Sequence, residues 1–131
     1  MASLETVGYL LDTHVLLWWL SDPAKLDEHA RSVIADGSSR VLFSAAGAWE
    51  MAIKKALGRL DFPSNLSEVL QRDRIEVLPI SLEHALGVGE LPMHHTDPFD
   101  RLMISQALRE GLTLVTRDPA MEEYGVEVVG A

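Results

Sequence analysis

The sequence contains no cysteine. That excludes disulfides, a thiolate zinc site and a cysteine nucleophile. Positive charge is scarce: 11 Lys plus Arg stand against 20 Asp plus Glu, a formal net charge of −9. The only lysines are Lys25, Lys54 and Lys55. A surface this acidic is a poor general grip on nucleic acid, so chemistry on a phosphate backbone would need another device, such as a metal. Long apolar runs are also missing. The stretch from Val7 to Leu20 is too short to span a bilayer. It is interrupted by Asp12 and His14 and preceded by Glu5 rather than a basic residue, so it lacks a signal-peptide layout. A cytoplasmic protein with no membrane association is expected. No repeat, low-complexity tract or Pro/Gly/Ser linker divides the chain. With 131 residues and 47 % hydrophobic content, one domain over 1–131 with a sizeable core is expected.

What is present is an alternation of short apolar runs and helical patterns. Val7-Gly8-Tyr9-Leu10-Leu11 reads as a buried strand ending at Asp12, with a short helix from Val15 to Leu20. Asp22-Pro23 resembles a cap with a first-turn proline, predicting a helix to about Ala35. Val41-Leu42-Phe43 is a second strand, ending at Ser44. Ala45, Ala48, Trp49, Ala52, Ile53, Ala56 and Leu57 then recur at helical spacing, predicting a core-facing stripe with Glu50 beside it and Gly58 as the stop. Helices are predicted over 64–72 and 81–88, around a third strand at Ile75–Leu78. Asp97-Pro98 opens a helix that stops at Gly111; Leu112–Val115 is a fourth strand, and Val126–Val129 a last one. Strands alternating with helices imply crossover connections, hence an α/β fold with a central, mostly parallel sheet flanked by helices on both faces. Ligands in such folds sit beyond the carboxyl ends of the strands.

Acids stand at those ends. Asp12 follows the first strand, Asp118 lies two residues after Thr116 at the end of the fourth, and Glu50 sits in the helix after the second. Asp97 and Asp100 open the helix that feeds the fourth strand. Carboxylates ~4 Å apart repel by about 4 kcal/mol at an effective dielectric of 20, so such a cluster calls for a cation or retained protons. Oxygen-only ligands favour Mg²⁺ or Mn²⁺ over zinc. Each acid also has an ordinary role open to it. Asp12 can simply end a strand, Glu50 can pair with Lys54 four residues on, and Asp97 and Asp118 each precede proline as helix caps. The set carries more weight than any member. His94 and His95 adjoin Asp97, but adjacent loop histidines usually point different ways, which makes a metal role secondary. His14 is expected only to orient its loop, and Trp18 and Trp19 to serve the core or an interface.

Four segments together resemble PIN-domain ribonucleases, and within them the VapC-type toxins of bacterial toxin–antitoxin pairs. They are Leu10-Leu11-Asp12-Thr13-His14, Trp49-Glu50-Met51-Ala52-Ile53-Lys54, His95-Thr96-Asp97-Pro98-Phe99-Asp100-Arg101 and Leu114-Val115-Thr116-Arg117-Asp118-Pro119. The resemblance spans residues 7 to 129, with separations of 38, 50 and 18 between Asp12, Glu50, Asp100 and Asp118. It implies a PIN-like three-layer fold and assigns the catalytic, metal-holding acids to those four residues. Asp97, Thr116 and Ser44 would support them. Ser44 is the only hydroxyl near the Trp-Glu pair, because Ala45-Ala46-Gly47-Ala48 offers none where relatives often carry one. The implied reaction is hydrolysis of RNA by metal-activated water in line with phosphorus. Lys54, Arg101 and Arg117 flank the acids and are candidates for holding RNA phosphate, with ordinary ion pairing as the alternative. A VapB-type antitoxin and a homodimer, the latter through apolar residues such as Trp18 or Trp19, are the partners the resemblance implies.

Other magnesium-binding α/β classes fit less well. A receiver domain needs paired acids after the first strand and a lysine after a late one. A haloacid-dehalogenase-like phosphatase needs Asp-x-Asp where Asp12-Thr13-His14 stands. Two further alternatives remain open: a PIN-like protein that only binds a partner, and a PIN nuclease with an RNA-processing role outside toxin–antitoxin systems.

Overall fold

The computed structural model describes residues 7–131, and Glu5 lies outside them. Five short strands form one sheet: β1 (Gly8–Leu11), β2 (Arg40–Ser44), β3 (Ile75–Leu78), β4 (Thr113–Thr116) and β5 (Val128–Gly130). Their order is β3-β2-β1-β4-β5 and every pairing is parallel. The helices between them are α1 (Thr13–Ser21), α2 (Glu28–Ala35), α3 (Ala45–Ala56), α4 (Leu66–Arg72), α5 (Leu82–Gly87) and α6 (Pro98–Glu110). No helix among the described residues is long and apolar enough to cross a membrane.

The apolar runs form strands because both faces of a parallel sheet are covered, so successive residues can all be hydrophobic. Alternation within each strand then divides the core in two. Leu11, Val41, Phe43 and Val115 face one layer, with Val15, Leu16, Ala30, Ile34 and Leu70 of α1, α2 and α4. Leu10, Leu42 and Leu114 face the other, with Met103, Ile104 and Ala107 of α6. Gly111 ends α6 in the left-handed conformation (φ 66°), where a side chain would be strained.

Two helices depart from the sequence-based expectation. Asp22-Pro23 opens only a single 3-10 turn, Pro23–Lys25. Leu26 then runs extended and buries its side chain, and α2 starts afresh at Glu28, capped by Asp27, whose carboxylate accepts from His29 N–H. The second departure is α3. Its apolar stripe faces outward: Trp49 is 57 % exposed and Leu57 61 %. Its buried face is Ala46, Gly47, Glu50 and Met51 instead. Close packing explains the choice. A Cβ on Gly47 would lie 2.6 Å from Phe43 Cζ, so only the smallest residues let this helix approach the end of the sheet. Trp49 keeps an edge-on contact with Phe99 at 5.0 Å between ring centroids.

Candidate active site

The chain builds β1, β2 and β3 in one direction and then returns to place β4 on the other side of β1. The switch point between β1 and β4 is therefore where a crevice opens at the carboxyl edge. Leu11 is in register with Val115, so the residues just beyond them stand side by side. Thr116 Oγ1 donates to Asp12 Oδ2 at 2.7 Å and accepts from Asp118 N–H at 3.1 Å. Asp118 Oδ1 in turn accepts from Ala120 N–H at 3.0 Å. Thr116 thus links the acids at the ends of two neighbouring strands.

From β2, α3 brings Glu50 in, buried to 3 % exposure. Thr13 Oγ1 donates to its Oε1 at 2.7 Å and Lys54 Nζ to its Oε2 at 2.8 Å. The i, i+4 pair with Lys54 is therefore present, but it lies at the site and not on a remote surface. From the other side comes the first turn of α6. Asp97 Oδ1 caps it, accepting from Phe99 N–H at 2.8 Å and Asp100 N–H at 3.1 Å. Asp100 follows one turn in, beside His95, whose Nε2 stands 2.9 Å from Asp118 Oδ2 and 3.3 Å from Asp100 Oδ2. Ligand atoms of His95, Asp100 and Asp118 all lie within 4.8 Å of one another.

These acids interact electrostatically. Burial lifts the Asp100 carboxyl to about 7, aided by the charges of Asp12, Asp97 and Glu50 and opposed by His95. Burial likewise raises Asp12, against the lowering effects of the Thr116 hydrogen bond and His14. At Asp118 burial also works upward, but the Ala120 N–H and His95 together outweigh it and hold the group below its ordinary value. Lys54 is raised by its hydrogen bond to Glu50, burial opposing. The site therefore has more negative charge than its own cations neutralise, in a set of oxygen donors. That chemistry fits a hard divalent cation, which Asp12, Asp100 and Asp118 could hold with Glu50 behind them.

Asp12, Glu50, Asp97, Asp100, Thr116, Asp118 and Lys54 are thus brought together. Ser44, Arg101 and Arg117 are not. Ser44 caps α3, accepting from Ala46 N–H, and donates to buried Gln106 Oε1 at 2.5 Å. Arg101 is buried among main-chain carbonyls: Nη1 donates to Pro92 O at 2.8 Å and to Tyr124 Oη at 3.3 Å, and Nη2 to Val88 O at 3.0 Å. Arg117 covers the Trp18 ring at 4.1 Å and donates to the carbonyls of Lys25 and Ala131. Among the described residues neither guanidinium forms an ion pair with the acids. Trp18 and Trp19 are half-buried, and Trp19 Nε1 donates to Asp73 at 3.1 Å. Exposed apolar residues include Trp49 and Ile53 on α3 with Leu57 just beyond it, and Leu82 and Leu86 on α5.

Two side chains that contact the acids carried little signal in the sequence. Thr13 supplies, from the start of α1, the hydroxyl on Glu50 that the segment before Trp49 lacks; its position next to Asp12 was the available clue. His95 enters the site while His94 turns to Glu123 (3.6 Å) and Tyr124, as expected of neighbours that point apart.

Comparison with known proteins agrees with this geometry. The PIN domain family matches residues 9–127. Ribonuclease VapC22 of Mycobacterium tuberculosis is 27 % identical over 118 residues, which is 88 % of this chain and 90 % of that protein. Among solved structures, VapBC2 from Rickettsia felis bound to a DNA fragment from its promoter superposes with a TM-score of 0.72 at 18 % identity, covering 95 % of this chain and 98 % of that one. DNA-bound VapBC from Salmonella typhimurium gives 0.71 at 22 % identity, with the same coverage. At those identities the structures speak for the fold; the family match, extending over nearly the whole chain and all four acids, speaks for descent. This chain belongs to the PIN domain family.

Proposed function

We propose that this protein is a VapC-type endoribonuclease, the toxin of a type II toxin–antitoxin pair, acting as a single domain over 1–131 in the cytoplasm. The observation that carries the proposal is the meeting of Asp12, Asp100 and Asp118 at the β1–β4 switch point, with Glu50 adjacent and too little positive charge to neutralise them. The family match and the ribonuclease relative support the same chemistry.

Asp12, Asp100 and Asp118 hold Mg²⁺ or Mn²⁺, with Glu50 completing the acidic set. When bound, the ion supplies charge neutralisation at a phosphodiester and acidifies water for in-line attack. The protein's own groups do the rest. Thr116 fixes the Asp12 carboxylate through its 2.7 Å hydrogen bond. Thr13 and Lys54 fix both oxygens of Glu50. Lys54, about one-third exposed, is the candidate that remains for contact with RNA phosphate. A VapB-type antitoxin is the proposed protein partner, supported by the VapBC complexes among the structural neighbours. The outward stripe of Trp49, Ile53 and Leu57 provides apolar surface for the proposed homodimer.

The test is cleavage of RNA by purified protein with Mg²⁺, with Mn²⁺ and with a chelator. Cleavage in either metal, its loss on chelation and its loss in Asp12→Ala are the expected results. RNA left intact by folded protein with every divalent ion would favour a partner-binding role without catalysis. Mapping of cleavage ends across cellular RNA after brief expression would then separate a toxin's narrow target from a processing role.

A further inference from the structure

The three ligand atoms gathered at His95, Asp100 and Asp118 resemble a mixed nitrogen–oxygen metal site, but the other face of the imidazole speaks against that. His95 Nδ1 stands 3.1 Å from the main-chain nitrogen of Asp97, which donates its N–H to it. An imidazole that ligates through Nε2 must carry its proton on Nδ1, where it normally donates to a carbonyl or carboxylate. Here that proton would meet the Asp97 N–H head-on. Nδ1 is therefore the acceptor, and Nε2 carries the hydrogen.

We propose that His95 is a positioning residue, held as the Nε2–H tautomer by the Asp97 main chain, that donates to Asp118 and braces it against Asp100 without itself ligating the cation. The proposal rests on the metal-dependent nuclease function above. The Nε2–H points to Asp118 Oδ2 at 2.9 Å, with Asp100 Oδ2 at 3.3 Å on its flank. Asp118 is then held at both oxygens, since Oδ1 accepts from Ala120 N–H. Each carboxylate oxygen has a second lone pair, so a cation can still be ligated. The loop that carries His95 is itself fixed. Arg101 donates to the carbonyls of Pro92 and His95, and the Asp97 carboxylate caps α6 while its N–H sets the tautomer. This gives buried Arg101 a function at one remove: it anchors the backbone from which the imidazole reaches the acids.

The experiment is long-range ¹H–¹⁵N NMR of the histidine rings in the ¹⁵N-labelled full chain, without metal and with saturating Mg²⁺. The His95 ring is assigned by its absence in His95→Gln. The Nε2–H pattern is expected in both conditions. A switch to the Nδ1–H pattern with Mg²⁺ would show ligation through Nε2 and overturn the proposal, as would an Nδ1–H ring in the metal-free protein. Calorimetric Mg²⁺ titration supplies the second arm. Loss of such an outer hydrogen bond typically weakens metal binding about 10–100-fold, which is the range expected for His95→Ala. His95→Gln, whose amide still donates, should recover most of it. Wild-type affinity in His95→Ala would equally overturn the proposal. If Mg²⁺ fails to bind even the wild-type protein, the nuclease function itself falls, and the metal-free tautomer still decides the direction of the His95 hydrogen bond.

Discussion

Asp100 is the residue at which stability and the proposed function conflict most sharply, and Asp100→Asn exposes the conflict. Its carboxyl ordinarily titrates at 3.8 and is lifted here to about 7, burial being the main cause and the charges of Asp12 and Asp97 the next. A folded-state value above the unfolded one means that the folded protein holds a proton which the unfolded chain releases as pH rises. The native state therefore loses stability between about pH 4 and about pH 7, and the loss is constant above that. At about 1.36 kcal/mol per pH unit the full gap corresponds to about 4 kcal/mol. Two effects reduce it. The side chain remains 16 % exposed and partly screened, and an anion in the first turn of α6 gains about 0.5 kcal/mol from the helix dipole. Asparagine is nearly isosteric and uncharged. Metal-free Asp100→Asn should thus be more stable than wild type by about 1–3 kcal/mol at pH 8. The two proteins should converge near pH 4. Urea unfolding with chelator present, at several pH values, measures this. Added Mg²⁺ should stabilise the wild type and leave the variant unchanged, because ligand binding to the native state adds stability only where the ligand binds. A variant less stable than wild type at pH 8, or a difference that does not grow from pH 4 to pH 7, would refute the reasoning.

Other substitutions test the packing that holds the site. Gly47→Ala gains about 1 kcal/mol of helix propensity. It also places a methyl 2.6 Å from the buried Phe43 ring and 3.1 Å from Thr13 Oγ1. Overpacking costs about 1–3 kcal/mol, so net destabilisation and weaker Mg²⁺ binding are expected, by urea unfolding and calorimetry; a stabilised variant would mean that α3 can move away freely. Arg101→Met removes a cation that, among the described residues, donates to main-chain carbonyls and Tyr124, and should cost about 2–3 kcal/mol of stability. Unchanged stability with RNA binding lost would instead make Arg101 a substrate contact.

Much of this architecture was legible in the sequence. Leu10-Leu11, Val41-Leu42-Phe43 and Leu114-Val115 are apolar at consecutive positions, and only a sheet buried on both faces accommodates that pattern. The alternation of such runs with capped helices dictated parallel crossovers, and with them the edge at which Asp12, Thr116 and Asp118 would stand. Local cap chemistry was less decisive. Asp97-Pro98 opens α6 as expected, whereas Asp22-Pro23 yields one turn, because burying Leu26 overrides the local signal.

Tertiary packing decided the rest. The periodicity of α3 favoured Trp49, Ile53 and Leu57 as its inner face, yet steric fit against Phe43 admits only Ala46 and Gly47, and this rotates Glu50 inward. No pattern in one segment encodes which face of a helix a distant strand can approach. The same holds for charge. Arg101 and Arg117 flank the acids in sequence, but their guanidinium groups satisfy carbonyls of other loops. His95 resembled any loop histidine until the Asp97 N–H fixed its tautomer and the return of β4 set Asp118 against it. The sequence by itself determined the parallel α/β class and that Asp12 and Asp118 would stand at the carboxyl edge of the sheet, because doubly buried strands joined by crossover helices follow from hydrophobic pattern. Only the tertiary structure decided which hydrogen bonds hold those acids, because hydrogen bonds depend on distances and angles between elements far apart in the chain.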